Sequence, residues 1–391
     1  MLRAFSIGVV LFFILSCGSD DSVTSEASDD ISASDDTGDS YTDSIDFDIT
    51  LLAENETEEF LLQQIQGGAM FSEVMNVSQS SGAKGGIYHY NRTDNRLSFS
   101  VLNFFEPTVL QFDLASRDFT EYQGFFNIPT EGSRYAFGSG QKIITFFNDP
   151  TVDEKYLFEV YDIPSGMSSG SIELAPWQFV NPFNREYNFM KNNYMALFLD
   201  DGSSGVNKRI INLNDPENIH TIELPEASGS EAILQDRYYL FQGDSYLVYD
   251  LTEGSWEAPV SGGDPIEGHR IRHNAYQVGA EMAYLEAALP PTFYRYSPTI
   301  YNFDTKSKRK FRPDALTEAL EAGYGHSATR INTQYLSLEK EVIIYAYEYR
   351  LFDDSGDTYE DRYAVAFMNY NDEIIARLDV PNEVLDIFIT R

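Results

Sequence analysis

At 391 residues the chain has room for one large domain or two ordinary ones. Its 62 acids against 27 Lys and Arg give a net charge of −35, which argues against nucleic acid and anionic lipid headgroups as partners. A single cysteine excludes an intramolecular disulfide and a cysteine-built metal site.

Residues 1–16 read as a secretory signal: Arg3 is the only charge before the apolar run Ile7 to Leu15. The run is too short for a permanent membrane helix, which needs about 20 residues. The ending Leu15-Ser16-Cys17 resembles the bacterial lipobox, and that resemblance implies a lipidated Cys17 as the first mature residue. An ordinary signal peptide with a chance cysteine is the alternative. Residues 17–46 read as an acidic Ser/Asp-rich tether. Gly18 to Asp48 holds eleven acids and no Lys or Arg, too little apolar surface to offset the entropy of ordering. With Arg3 the first 50 residues carry −10, leaving −25 on the body. Acids directly after the cysteine resemble the export signal of surface-exposed Bacteroidota lipoproteins. The localisation this implies is lipid-anchored on the outer membrane, facing the exterior; a periplasm-facing lipoprotein is the alternative.

Residues 47–391 read as one all-β domain. Long helical periodicity is scarce, and the clearest helix runs from Pro313 to Ala322, closed by Gly323. Six hairpins of one kind recur in order: 108–125, 156–174, 208–224, 246–260, 299–313 and 364–380. Each is an apolar strand ending in Asp or Asn, a polar turn and a second strand. Asp and Asn suit the turn because their side chains bond their own backbone. Two further strand-like runs precede each hairpin. Four strands in roughly 50 residues is the pattern of a propeller blade. The remaining runs, DFDITLLA, EEFLLQQI and MFSEVMNV near the start and EVLDIFITR at the end, make a seventh blade of three strands plus one. A seven-bladed β-propeller closed by both termini is therefore predicted, with six blades as the alternative.

The stretch EEFLLQQIQGGAMFSEVMNV, then GGIYHYNRTDNRLSFSVLNF and TVLQFDLASRDFTEYQGF, resembles a group of propeller-like Bacteroidota surface lipoproteins encoded beside TonB-dependent transporters. The match covers about 70 residues, and the turn at 80–86 departs from the group's pattern. The resemblance implies a binding role in uptake, with a ferric siderophore as one ligand, and carries over no contact residue.

Propellers usually bind around the central channel, so the residues just before each inner strand are candidates. They are Lys84, Arg134, Arg185, Arg270 with Arg272, and Arg330 in blades one, two, three, five and six. Blade four has Glu231 there instead, and blade seven has no basic residue. Such a basic ring in an acidic body favours an anion, through paired guanidinium bonds and stacking. Phe293, Tyr294, Arg295 and Tyr296 in the loop 290–298 supply aromatic support.

Weaker signals read as solvated turns. They are 352–362, with Asp353, Ser355, Asp357, Tyr359 and Asp361 at alternate positions, then 200–207 and the basic patch KSKRKFR at 306–312. His269 and His273, four apart, fall in strand or loop rather than on one helical face, so no metal site is expected. No catalytic or cofactor motif is present: there is no G-x-S-x-G, H-E-x-x-H, phosphate loop or cysteine nucleophile, and no carboxylate pair stands out among the many acids. A binding lipoprotein that captures a small anionic ligand for a TonB-dependent transporter is the leading expectation. A glycan-binding lipoprotein, a protein-docking propeller and a glycan lyase or hydrolase are the alternatives. Trp177 and Trp256, the only two, lie near outer strands, which weakens the glycan reading.

Overall fold

The computed structural model describes residues 45–389 apart from 67–69, 81–86, 102–106, 125–132, 150–154, 175–188, 201–205, 225–229, 267–270, 288–295 and 353–358. Cys17, the signal segment and nearly all of the tether therefore lie outside the described residues.

Seven antiparallel sheets follow one another along the chain. Chain order opens with β1 (Ile49–Glu54), β2 (Phe60–Gln66) and β3 (Met70–Asn76), then the single turn α1 (Val77–Ser80). Blade 1 is β4 (Ile87–Thr93), β5 (Arg96–Val101), β6 (Thr108–Asp113) and β7 (Phe119–Tyr122). Blade 2 is β8 (Ser133–Ser139), β9 (Lys142–Asp149), β10 (Lys155–Asp162) and β11 (Met167–Leu174). Blade 3 is β12 (Phe189–Lys191), β13 (Tyr194–Asp200), β14 (Val206–Asn212) and β15 (Asp215–Leu224). Blade 4 is β16 (Ser230–Leu234), β17 (Arg237–Gln242), β18 (Ser245–Asp250), β19 (Ser255–Trp256) and β20 (Val260–Ser261). The turn α2 (Ile271–Asn274) leads into blade 5: β21 (Tyr276–Val278), β22 (Glu281–Ala287), β23 (Tyr296–Asn302) and β24 (Ser307–Lys310). Helix α3 (Asp314–Tyr324) precedes blade 6: β25 (Ala328–Ser337), β26 (Val342–Phe352), β27 (Tyr359–Asn369) and β28 (Ile374–Val380). The last strand, β29 (Glu383–Ile389), pairs with β1, from Ile49 opposite Ile389 to Glu54 opposite Glu383. Blade 7 is thus β29-β1-β2-β3, one strand from the end and three from the start. The seven-bladed expectation holds and the six-bladed alternative does not.

Each blade is buried on both faces, so its central strands are apolar at nearly every position and the two-residue period sorts the side chains between neighbours. In β26, Ile343, Tyr345, Tyr347 and Tyr349 face blade 5, while Val342, Ile344 and Ala346 face blade 7. In β1, Ile49 and Leu51 face blade 6 and Leu52 faces blade 1. Seven apolar clusters fill the seven spaces between adjacent blades, including that between blades 7 and 1, so the ring is closed.

The outer hairpins form as the sequence implies. Asp113, Asp162, Asn212, Asp250, Asn302 and Asn369 each end the third strand of blades 1 to 6, and each side-chain oxygen accepts a backbone N–H two to four residues on. Four residues past Asp113, Asp162, Asp250 and Asn302, a residue with positive φ turns the chain back: Arg117, Gly166, Gly254 and Lys306. Helix α3 runs past the predicted stop. Gly323 stays inside it, and Gly325, with φ of 69°, is the left-handed cap. The patch 306–312 is exposed at most positions, as expected of an outer turn, but several of its cations are bonded. Lys308 bonds Glu286 at 2.8 Å, Lys306 bonds the Ser261 carbonyl at 3.0 Å, and Arg309 bonds the Tyr370 carbonyl between the rings of Phe311 and Tyr370. The Lys306 and Arg309 bonds join blade 5 to blades 4 and 6, while Lys308–Glu286 lies within blade 5.

Blades 1 and 2 meet most closely at Gly138, where an added Cβ would fall 2.5 Å from Ser98 Cβ and Oγ. Gly138→Ala is expected to lower stability by about 1–3 kcal/mol, read from urea unfolding; an unchanged midpoint would show that the contact relaxes freely.

Burial lowers the pKa of His220 and of His326, whose ring stacks on Tyr349 at 4.3 Å with the Arg377 cation close by. Both rings favour the neutral form when folded, so stability is full above the ordinary value of 6.5 and falls as pH drops below it. The turn carboxylates Asp113, Asp162 and Asp250 are held below their ordinary value of 3.8 by backbone and side-chain bonds, so their contribution is lost only in a second, more acid phase. Melting temperature against pH is expected to fall in two steps, with the upper one reduced in His326→Gln.

Candidate functional site

The inner strands all run the same way, from a leading face where they begin to a trailing face where they turn outward. They are β4, β8, β12, β16, β21, β25 and β29. A cavity of about 480 Å³ lies among them, lined from blades 1, 3, 5, 6 and 7. Most of its lining comes from the middle and trailing parts of these strands: His89 to Asp94, Phe189 to Asn192, Thr333 to Leu336 and Leu385 to Phe388. Blade 4 is screened by α2, which packs on β16, β22 and β12 with Ile271 fully buried. The segment around His273 is thus one helical turn, not strand or loop.

Two cations line this cavity. Arg92 donates to the Asp94 carbonyl at 3.1 Å and to the Ile389 carbonyl at 2.6 Å, with its guanidinium over the Phe388 ring. Lys191 donates to the His273 carbonyl at 3.2 Å, tying blade 3 to α2. These contacts, all to carbonyl oxygens, orient the two cations at the wall. Asp94 and Asp386 line the same cavity, and Asp386 accepts the Ile387 N–H. Aromatic rings complete the wall. Tyr276 stacks on Tyr335 at 6.1 Å, donates to the Leu336 carbonyl and accepts from Leu338 N, which locks blade 5 to blade 6. Burial, then the neighbouring Tyr335, raises the Tyr276 pKa and keeps it protonated. The arrangement can orient an anion, exchange hydrogen bonds with hydroxyls through the carboxylates, and stack a ring on tyrosine.

The predicted ring at the leading face is met only in part. Lys84, Arg185, Arg270, Phe293, Tyr294 and Arg295 lie outside the described residues, as does His269. Arg134 is the second residue of β8 and Arg272 lies in α2, with only their backbones described. Arg330 stands near the start of β25 as expected, but pairs with Glu383 of β29 at 2.9 Å, so a neighbouring acid offsets its charge. Tyr296 opens β23, a third strand, is half-buried, and does not line the cavity; its carbonyl accepts from Gln334. Glu231, which broke the basic pattern, is buried with a partner from blade 3. Lys208 bonds it at 2.9 Å and Tyr238 donates to it at 2.7 Å, with Lys208 only 1% and Glu231 4% exposed. Of the run 352–362, the positions 353–358 lie outside the described residues. Tyr359 and Asp361 are in β27, Asp361 bonded to Arg350. Positions 201–205 of the other turn also lie outside.

Sequence reasoning missed Arg92 and Lys191 because it searched before the inner strands. The signal was after them: NRTDNR and MKNNYM each place a cation one or two residues ahead of a turn residue with positive φ, Asp94 and Asn192. Among the described residues no group of three or more His, Cys, Asp or Glu stands close enough to hold a metal.

No family model and no curated protein matches this chain. Solved structures do share its outline. TolB from Acinetobacter baumannii is 12% identical at a TM-score of 0.40, over 88% of this chain and 66% of that one. A 6-phosphogluconolactonase-like protein from Bacteroides fragilis is 11% identical at 0.42, over 90% and 99%. AztD from Citrobacter koseri is 10% identical at 0.32, over 67% and 85%. Similarities of this size assign no ligand or chemistry, and the propeller rests on the seven sheets themselves.

Removing one partner of the Lys208–Glu231 pair leaves a buried charge uncompensated. Glu231→Ala is expected to cost about 3–5 kcal/mol, against less than about 1 kcal/mol for Arg330→Ala at its exposed pair, both read from urea unfolding. Equal costs would contradict the contrast in burial.

Proposed function

We propose that this chain is a binding protein that captures a small anionic molecule in its central channel. The observation that carries this reading is the presence of Arg92 and Lys191 in one recessed cavity of a protein with a large excess of acid. A volume of about 480 Å³ falls within the range of small-ligand sites, roughly 300–1,000 Å³. In this reading Cys17 anchors the chain to the outer membrane, residues 17–46 are the tether, and the propeller faces the exterior to serve a TonB-dependent transporter. Leu15-Ser16-Cys17, the acidic run and the resemblance over EEFLLQQIQGGAMFSEVMNV to TVLQFDLASRDFTEYQGF support that placement. A ferric siderophore is the ligand which that resemblance implies.

The test is binding by residues 45–391, followed through tyrosine fluorescence, against ferric siderophores, sugar acids and neutral oligosaccharides. Lys191→Ala is expected to weaken an anionic hit about tenfold or more, in line with the worth of one charged hydrogen bond. An anion that binds Lys191→Ala and Arg92→Gln as well as it binds the native chain would remove the channel from consideration.

A further inference from the structure

We infer that the captured ligand is an acid-terminated oligosaccharide, with its anionic unit in the channel and its neutral sugars running outward over a second hollow on the trailing face of blades 1 to 3. This inference rests on the channel reading above and specifies the class of ligand.

The hollow measures about 400 Å³ and shares Thr93 and Asp94 with the channel cavity. Asn192 on one side adjoins Asn193 on the other, so the two spaces meet at one rim. Its lining contains only Thr, Asp, Asn, Gln, Arg, Lys and Gly. No aliphatic or aromatic side chain lines it.

The same position supplies it from each blade. Asn95, Gln141 and Asn193 are each the residue after the positive-φ residue of the inner turn, namely Asp94, Gly140 and Asn192. The backbone carbonyl of each accepts an N–H from the outer hairpin: Leu114 on Asn95 at 2.7 Å, Ile163 on Gln141 at 2.9 Å, Leu213 on Asn193 at 2.7 Å. The turns are thereby fixed; the side chains of Gln141 and Asn193 face outward, whereas the Asn95 Oδ1 is buried. The carboxamides of Gln141, Asn193 and Asn214 are exposed and make no hydrogen bond to another described residue. A carboxamide both donates and accepts, which matches a hydroxyl that does the same. The series ends at blade 3. The next equivalents are Asp236, which accepts from the Tyr194 hydroxyl at 3.0 Å, and Ala280.

Charge argues for a neutral chain over this hollow. Arg96 lies 3.8 Å from Asp113 and Lys142 lies 3.2 Å from Asp162, so its cations already face acids. A polyanion would meet those paired acids and Asp94. In the channel, Arg92 and Lys191 suit one carboxylate, and Asp94 and Asp386 accept hydroxyls.

The experiment measures binding of the full chain, in detergent, by calorimetry. The probes are glucuronic acid, the neutral tetrasaccharides of xylose, glucose, galactose and mannose, and each tetrasaccharide carrying a terminal glucuronic acid. At least one acid-terminated chain is expected to bind tenfold or more tighter than both glucuronic acid and its own neutral parent. The double variant Gln141→Ala/Asn193→Ala, altered only at exposed side chains and checked for an unchanged melting temperature, should bring that chain down to the affinity of glucuronic acid and leave glucuronic acid unaffected. Lys191→Ala should weaken both. If no acid-terminated chain binds tighter than glucuronic acid, or the double variant binds it unchanged, the inference is overturned and the channel reading stands. The same holds if a ferric siderophore binds with dependence on Lys191 while no sugar acid binds. If no anion binds in a Lys191-dependent way, both fail.

Discussion

The pairing of β29 with β1 is the constraint on which everything else rests. A blade is apolar on both faces, and seven blades bury those faces only when the ring is closed. Closure joins residues more than three hundred positions apart, Ile49 opposite Ile389, so the long-range loop must be formed before its contacts stabilise the fold. The channel depends on the same joint. Arg92 of blade 1 bonds the carbonyl of Ile389, and its guanidinium covers Phe388, whose ring belongs to the core between blades 7 and 1. One cation therefore serves as a wall of the cavity and as a clasp on the closing strand. A ring that opened there would lose both its stability and its site.

On the trailing face, backbone hydrogen bonds tie the inner and outer turns together. Blades 1 to 6 each turn the inner strand with a positive-φ residue and the outer strand with a side chain that satisfies the turn's own amides. The hydrogen bond between the two turns then locks them together, as from Leu251 to the Asp236 carbonyl in blade 4 and Phe303 to the Ala280 carbonyl in blade 5. Such a lattice fixes the backbone independently of which side chains it displays. That separation is what lets equivalent positions carry Asn, Gln or Asp in one blade and Ala in another, and lets recognition vary around a constant frame.

Architecture was legible in the sequence because it depends on short-range chemistry that repeats. An Asp or Asn closing an apolar run marks the turn wherever it occurs, and strands left over at both ends imply a shared blade. The site was much less legible because it depends on which end of a short strand faces a cavity. Arg330 looked like a ring member, yet Glu383, distant in sequence, stands beside it. Lys306 to Arg312 looked like a solvated patch because the carbonyls that receive Lys306 and Arg309 come from neighbouring blades and the acid that receives Lys308 lies two strands away. Gly323 looked like a helix stop because the sequence offers two glycines, and only the geometry shows that Gly325 takes the left-handed turn. Glu231 was visible as an exception to the basic pattern, but its partner Lys208 lies in another blade, so its meaning was out of reach.

Charge links the fold to recognition. The body carries about twenty-five more acids than bases, so at long range it repels anions. That repulsion is screened over about 8 Å at physiological ionic strength. In the proposed reading, Arg92 and Lys191 act on a ligand that has already entered the cavity, at hydrogen-bond distance, where screening by salt is weak. In that reading an anion is selected by fit rather than drawn in by field. Such a site discriminates against small free anions, which have nothing to offset the approach, and favours a molecule whose neutral remainder makes contacts of its own. In the inference drawn above, the polar hollow beside the channel supplies those contacts, and its paired charges add no long-range attraction that would admit a polyanion.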